Sequence, residues 1–218
     1  MITIALPKGR LAQETVNFFE KCGLLNIKME EDSRKLIFID EVNNLRIILV
    51  KPFDVPTYVE YGAADMGVVG KDVIMEKNVN IFEILDMGIG RCFLALAGIK
   101  GKKEEFIKKK DKVIATKYPE VTREYFEKIN HQNLKVIRLN GSVELAPLLG
   151  LADGIVDVVE TGRTLKENGL EVYEKLFDIS ARLIINRASL KMKKDLINEI
   201  VGRIERGLEL EGIVCPRS

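Results

Sequence analysis

Asp157, Glu160, Thr161, Gly162, Arg163 and Thr164 are the densest group of chemistry-bearing residues in this chain. They lie in residues 144–165, ELAPLLGLADGIVDVVETGRTL, where the apolar run 155–159 is broken by one carboxylate, Asp157. The run reads as a strand, the residues after it as a tight turn, and a helix begins near Leu165. A strand, a turn and a helix start aim backbone N–H groups at an anion. Thr161 and Thr164 can add hydroxyl donors, Gly162 lets the backbone approach closely, and Arg163 brings fixed positive charge. The chemistry is that of a cradle for a phosphomonoester. Asp157 and Glu160 suit the two hydroxyls of a ribose beside it. The four letters TGRT alone would serve turn chemistry equally well.

A second group lies at the start of the chain. Lys8, Gly9 and Arg10 follow the first strand and open the first helix, where a triphosphate or pyrophosphate gains from the helix dipole. Arg34 precedes another strand, directly after Ser33, and Lys51 closes a further one. An internal echo links residues 62–71, GAADMGVVGK, with residues 154–163, GIVDVVETGR. Both read G-x-x-D-x-x-x-x-G-[K/R], and each is expected to be strand, turn and helix start, giving two anion-binding turns of one build. Asp65 stands in this echo where Asp157 stands in the other.

Several classes of function are set aside by composition. The single histidine, His131, falls at the end of a polar helix-like stretch and is expected at the surface, so no Ser–His or Cys–His nucleophile pair can be built on it. Cys22, Cys92 and Cys215 are scattered, which points to a reducing cytoplasm rather than a disulfide framework or zinc site. The net charge of +1 makes no case for nucleic acid or membrane partners. No run approaches the roughly 18–20 apolar residues of a membrane span, and the N-terminus enters a strand without a signal-peptide layout. The lysine-rich run 100–112 is expected to be a solvated face and is assigned no function.

The elements that must position these residues alternate between short apolar strands and amphipathic helices, the pattern of an α/β fold. Strands are expected at residues 2–6, 35–39, 45–51, 66–69, 93–99, 113–116, 134–139, 155–159 and 183–186. Helices are expected at 10–22, after Asp54, at 72–77, at 119–130, from a Ser142 cap to 149, and at 189–208. An apolar content of 46% suffices for one large domain or two small ones.

The run 144–165 resembles the signature of the ATP phosphoribosyltransferase family. Glu144, Gly150, Ala152, Ile155, Asp157, Val158, Thr161, Gly162, Thr164 and Leu165 fill every position of that pattern. ALPKGRL at 5–11 and DVPTYVEYGAADMGVVGKDVI at 54–74 resemble the same family. The resemblance implies a two-lobed, periplasmic-binding-protein-like (type II) fold with a central cleft. Residues 1–89 with 180–218 would form one lobe, and residues 90–179 the other, carrying the phosphoribosyl-pyrophosphate loop. It implies the first step of histidine biosynthesis: transfer of 5-phosphoribosyl from phosphoribosyl pyrophosphate to N1 of the ATP adenine, with release of pyrophosphate. Asp157, Glu160, Thr161, Gly162, Arg163 and Thr164 would hold the phosphoribosyl donor. Lys8, Gly9 and Arg10 would bind ATP, and Lys8, Arg10, Arg34 and Lys51 would form the catalytic cation set. Many relatives carry Arg where Lys51 stands, and Lys keeps the charge without the bidentate contact. Mg²⁺ is expected to arrive with substrate, with no metal ligands from side chains. The chain's length resembles the short form, which works as a homodimer within a hetero-oligomer with a histidyl-tRNA-synthetase-like regulatory subunit. Two other classes stay open: a ligand-binding module without catalysis, and a different phosphoribosyltransferase. The latter usually shows two adjacent carboxylates before its loop, whereas two valines separate Asp157 from Glu160 here.

Overall fold

The computed structural model describes residues 1–27, 34–129 and 134–213. Expectations for Ser33, His131 and Cys215 lie outside the described residues. The chain divides into two compact units, Met1–Gly90 with Ser180–Ser218, and Arg91–Ile179.

Unit 1 opens with β1 (Ile2–Pro7), α1 (Arg10–Lys21), β2 (Ile37–Asp40), β3 (Leu45–Val50), α2 (Val55–Glu60), β4 (Met66–Gly70), α3 (Lys71–Lys77) and β5 (Phe82–Asp86). Every residue of β1 is buried, as expected of a strand flanked on both sides. It pairs in parallel with β3 and with β4. α1 buries Ala12, Thr15, Val16, Phe18 and Phe19, a helical stripe set by the spacing of its apolar residues.

Unit 2 then supplies β6 (Cys92–Ile99), α4 (Lys103–Lys108), β7 (Lys112–Thr116), α5 (Pro119–Arg123), β8 (Leu134–Arg138), α6 (Leu145–Leu148), β9 (Gly154–Val159), α7 (Arg163–Glu167) and β10 (Leu170–Ile179). Its sheet runs β10-β6-β9-β7-β8. β9 pairs in parallel with β7 and antiparallel with β6. The chain returns to unit 1 for β11 (Ala181–Ile185), α8 (Arg187–Met192) and α9 (Lys194–Leu210). The unit 1 sheet runs β2-β3-β1-β4-β11-β5.

Several elements differ from the sequence expectation. Ser142 does not cap a helix: it takes a left-handed φ of 49°, and Glu144 stands at the cap of the four-residue α6. The helix expected at 119–130 is α5 followed by a π-helical turn, Glu124–Ile129. The single final helix is two, because Lys193 leaves helical geometry at φ −122° and ψ 31°. Asn186 is a helix cap rather than a strand end, since its side chain accepts from the Ser189 N–H at 2.8 Å. Asp54 occupies the cap of α2 without a side-chain cap hydrogen bond.

The internal echo does not survive at the level of geometry. Gly154 starts β9 and Asp157 lies inside that strand, whereas Asp65 precedes β4 and Gly70 runs straight into α3 with φ −63°. The break at Lys193 brings its ammonium to both oxygens of Asp65, at 2.9 Å each. The same carboxylate accepts from Ser189 Oγ at 2.7 Å and from the Thr3 N–H at 2.9 Å. Asp65 is therefore a tie joining β1, β4 and the last two helices. Burial would raise its carboxyl pKa, but the hydrogen bonds from Lys193, Ser189 and Thr3 outweigh that and hold it below the ordinary value. A depressed carboxylate contributes stability that is present above the unfolded value, near ~3.9, and lost as pH falls through the folded value. Asp65→Asn should lower stability by about 2–3 kcal/mol at neutral pH and flatten the fall in stability below about pH 4. Denaturant titrations of parent and variant across that range check both, and equal midpoints at pH 7 would show that the tie contributes nothing.

Candidate functional site

Gly162 adopts φ 72° and ψ 6°, the left-handed region that glycine enters without cost. It closes the turn after β9 and stands at the cap of α7. The first intrahelical bond of α7 runs from the Lys166 N–H to the Gly162 carbonyl at 3.0 Å. The N–H groups of residues 163–165 thus precede the helical ladder, where an anion can use them. The Arg163 N–H lies 3.4 Å from Thr161 Oγ1, a long contact that a better acceptor would replace.

Asp157 alternates with Ile155 and Val159 on one face of β9. Ile155 and Val159 pack there with Ala95, Ala97, Val143, Ala146 and Leu165. β7 pairs with β9 only as far as Thr116↔Val156, so Asp157–Val159 extend past the end of the parallel neighbour. Asp157 is half-buried, and Glu160 and Thr161 are exposed. A depression of about 300 Å³ opens at this end of the strand. All six expected donor-site residues, Asp157, Glu160, Thr161, Gly162, Arg163 and Thr164, line it. Glu144 lines it too. Its carboxylate belongs to the signature run, and its place at the start of α6 is what carries it there. Arg163 Nε holds Glu167 Oε1 at 2.7 Å across one helical turn, both side chains well exposed. An exposed pair of this kind is weak, so the guanidinium can turn to a phosphate at little cost.

The unit 1 cations meet along one sheet edge. The Lys8 N–H donates to the Val50 carbonyl at 2.8 Å, so Lys8 and Lys51 leave the carboxyl ends of adjacent parallel strands. β2 is antiparallel to β3, and the Leu49 N–H bonds the Leu36 carbonyl, which puts Arg34 at the same end. Arg10 opens α1 behind the Gly9 cap, where φ is 103°. Its Nε lies 3.2 Å from Glu14 Oε1. Lys8, Gly9, Arg10, Arg34 and Lys51 are all exposed. The carboxyl edge of a parallel sheet is where ligands of open α/β folds bind. Lys71, the echo's counterpart of Arg163, is turned instead to Glu83 at 2.5 Å. Among the described residues, no three His, Cys, Asp or Glu side chains gather as a metal site.

The model of the ATP phosphoribosyltransferase (HisG) family matches residues 51–206. The chain belongs to the ATP phosphoribosyltransferase family. It is 64% identical over 209 residues to the ATP phosphoribosyltransferase of Caldicellulosiruptor bescii, covering 96% of this chain and 100% of that one. It is 50% identical over 214 residues to that of Ruminiclostridium cellulolyticum, covering 97% and 99%. Among solved structures, an ATP phosphoribosyltransferase (HisG:HisZ) complex from Thermotoga maritima superposes with a TM-score of 0.81 at 36% identity, over 96% of this chain and 99% of that one. The VFT2 domain of BvgS from Bordetella pertussis superposes at 0.58 with 12% identity, over 94% and 92%. That second likeness speaks to fold alone, and it is the periplasmic-binding-protein type. Membership of the transferase family removes the non-catalytic binding module and the other phosphoribosyltransferases as readings of this chain.

Proposed function

We propose that this chain catalyses the first step of histidine biosynthesis, transferring 5-phosphoribosyl from phosphoribosyl pyrophosphate to N1 of the ATP adenine. The observation that carries the assignment of roles is the single depression into which Asp157, Glu160, Thr161, Gly162, Arg163 and Thr164 all open. In this reading the turn 160–164 holds the 5-phosphate through backbone N–H groups, two hydroxyls and Arg163. Asp157 and Glu160 accept from the ribose hydroxyls. Unit 2, within residues 90–179, is thus the donor-binding lobe, and residues 1–89 with 180–218 carry the polyphosphate cations.

The reaction needs no protein nucleophile. The adenine N1 lone pair forms the bond to the anomeric carbon, and the bond from that carbon to pyrophosphate breaks, its electrons leaving with the pyrophosphate. Catalysis then consists of holding two polyanions in line and stabilising the departing charge. Lys8, Arg10, Arg34 and Lys51 serve that charge, with Gly9 admitting the ATP phosphates close to the backbone. Lys51 acts as a point charge rather than a fork. The donor set of the depression is hydroxyls, N–H groups and carboxylates matched to a sugar, which fits a divalent ion carried by the pyrophosphate better than one held by side chains. Mg²⁺ bound to substrate would neutralise part of the leaving charge.

The partner in this reading is a histidyl-tRNA-synthetase-like regulatory subunit, with this chain as the short catalytic form, a homodimer inside the hetero-oligomer, working in the cytoplasm. The support for a partner subunit is the two-protein complex in which the Thermotoga relative was solved. Incubation with ATP, phosphoribosyl pyrophosphate and Mg²⁺ should yield N1-(5-phosphoribosyl)-ATP and pyrophosphate, and absence of that product would overturn the assignment. Within the same assay, Arg10→Ala and Arg34→Ala should each lower kcat by about tenfold or more, because charge on leaving pyrophosphate is a transition-state feature. Their melting temperatures should move by no more than about 2 °C, since both side chains are exposed. Variants that melt much earlier yet turn over like the parent when folded would make these arginines structural.

A further inference from the structure

Thr116 closes β7 and is fully buried. Thr15 and Thr122 are buried as completely, and each donates its hydroxyl to the carbonyl four residues earlier, of Leu11 and of Tyr118, at 2.7 Å in both cases. Bonds of that kind satisfy a buried hydroxyl within its own turn of helix. The Thr116 hydroxyl does something different. It crosses to β9 and donates to the Val156 carbonyl at 2.6 Å. The same oxygen accepts from the Tyr118 N–H at 2.9 Å, so its donor and a lone pair are both engaged. The Thr116 carbonyl accepts from the Leu139 N–H at 2.9 Å, just past the end of β8.

The bond to Val156 falls where β9 loses a neighbour. Thr116↔Val156 is the last pair between β7 and β9. Past it, the pairing of β9 runs on with β6, on the other side, as far as Phe93↔Val159. The Val156 carbonyl and the Asp157 nitrogen belong to one planar peptide. Holding that carbonyl fixes the plane, and with it the direction in which the Asp157 side chain leaves the strand. Asp157 lines the donor depression and Thr116 does not. A carboxylate that must meet two sugar hydroxyls tolerates little displacement, since an error of about 1 Å in a reacting geometry can cost on the order of 10²-fold.

We propose that Thr116 is a positioning residue for the transfer reaction, its hydroxyl holding the end of β9 so that the Asp157 carboxylate meets the ribose of the donor. The proposal rests on the donor-site reading given above and adds to it a residue that touches no substrate. The bond from the Tyr118 N–H fixes the Thr116 oxygen in turn, so the support reaches from the start of α5 through one hydroxyl to the strand that carries Asp157.

The test uses the whole chain. Thr116→Val keeps the shape and removes the hydroxyl, and Thr116→Ser keeps the hydroxyl. Thr116→Val is also combined with Asp157→Asn. Calorimetry gives the affinities for phosphoribosyl pyrophosphate and for ATP, and thermal melts follow the fold. Thr116→Val should bind the donor about tenfold more weakly, with ATP affinity within about twofold of the parent. Thr116→Ser should keep donor affinity within about threefold, even though the lost buried methyl group lowers its melting temperature. A purely structural residue would instead lower donor affinity in step with the melting temperature. In the Asp157→Asn background, Thr116→Val should cost the donor less than about threefold more, because residues that act through one group are not additive. Should valine prevent folding, Thr116→Ala, smaller and equally without a hydroxyl, is read in the same way. Unchanged donor affinity in Thr116→Val overturns the inference and leaves the donor-site reading intact. Equal losses for donor and ATP, or losses that add in full with Asp157→Asn, overturn it by showing that Thr116 does not act through Asp157. A parent chain that binds no donor overturns the donor-site reading and this inference together.

Discussion

Changing Thr161 and Thr164 together to Val is expected to weaken binding of phosphoribosyl pyrophosphate by roughly 10²- to 10⁴-fold. The reasoning starts from the turn. Valine keeps the shape of threonine and removes only the hydroxyl, so the double variant subtracts two donors from the cradle. A hydrogen bond to a charged group contributes about 1.5–3 kcal/mol, and tenfold in affinity is about 1.4 kcal/mol. Both residues are exposed, and the contact of the Arg163 N–H with Thr161 Oγ1 is long, at 3.4 Å, so folding should be little changed. ATP affinity serves as the control. If calorimetric titration shows the donor bound as tightly as by the parent, the phosphate cradle lies elsewhere.

Asp157→Asn is expected to cost the donor sugar about tenfold or more in affinity while leaving ATP affinity within about twofold. A carboxylate accepts from two ribose hydroxyls with charge assistance, and an amide offers one poorer acceptor and a misplaced donor. The position of Asp157 sharpens the expectation. It is a half-buried charge in a strand face otherwise lined by Ile155 and Val159, past the end of β7, and it lines the depression. Asn at the same place keeps the volume and removes the charge. Equal losses for both substrates would reassign Asp157 to support of the fold.

Asp65 and Asp157 show together what could be read from the residues and what could not. The sequence puts them at matching places in two similar strings, and the structure gives them unrelated work. Asp157 opens into a depression, and Asp65 is tied to Lys193, Ser189 and Thr3 from distant parts of the chain. Spacing sets which residues follow a strand, but strand pairing sets where the strand begins. β9 takes up Gly154 because β7 pairs there, opposite Ile114, and β4 starts only after Asp65. β10 was not expected for a related reason. Two irregularities in its pairing with β6 break the alternation of buried and exposed side chains that marks a strand.

Local chemistry carried the rest. The turn from Val159 to Thr164 follows from an apolar run, a glycine able to take φ 72°, and a helix start, all within ten residues, so no distant contact is needed to form it. The alternation of apolar runs and amphipathic stretches likewise settled an α/β fold, because strand and helix periodicities are properties of neighbours in the chain. The assembly of Lys8, Arg34 and Lys51 on one sheet edge came from tertiary structure alone. It depends on β1 lying beside β3 in parallel and β2 beside β3 in the opposite sense, and nothing in the spacing of the three residues specifies those pairings. The sequence by itself determined the phosphate turn and the class of fold, and pairing across long stretches of chain decided which charges share an edge and which are buried as ties.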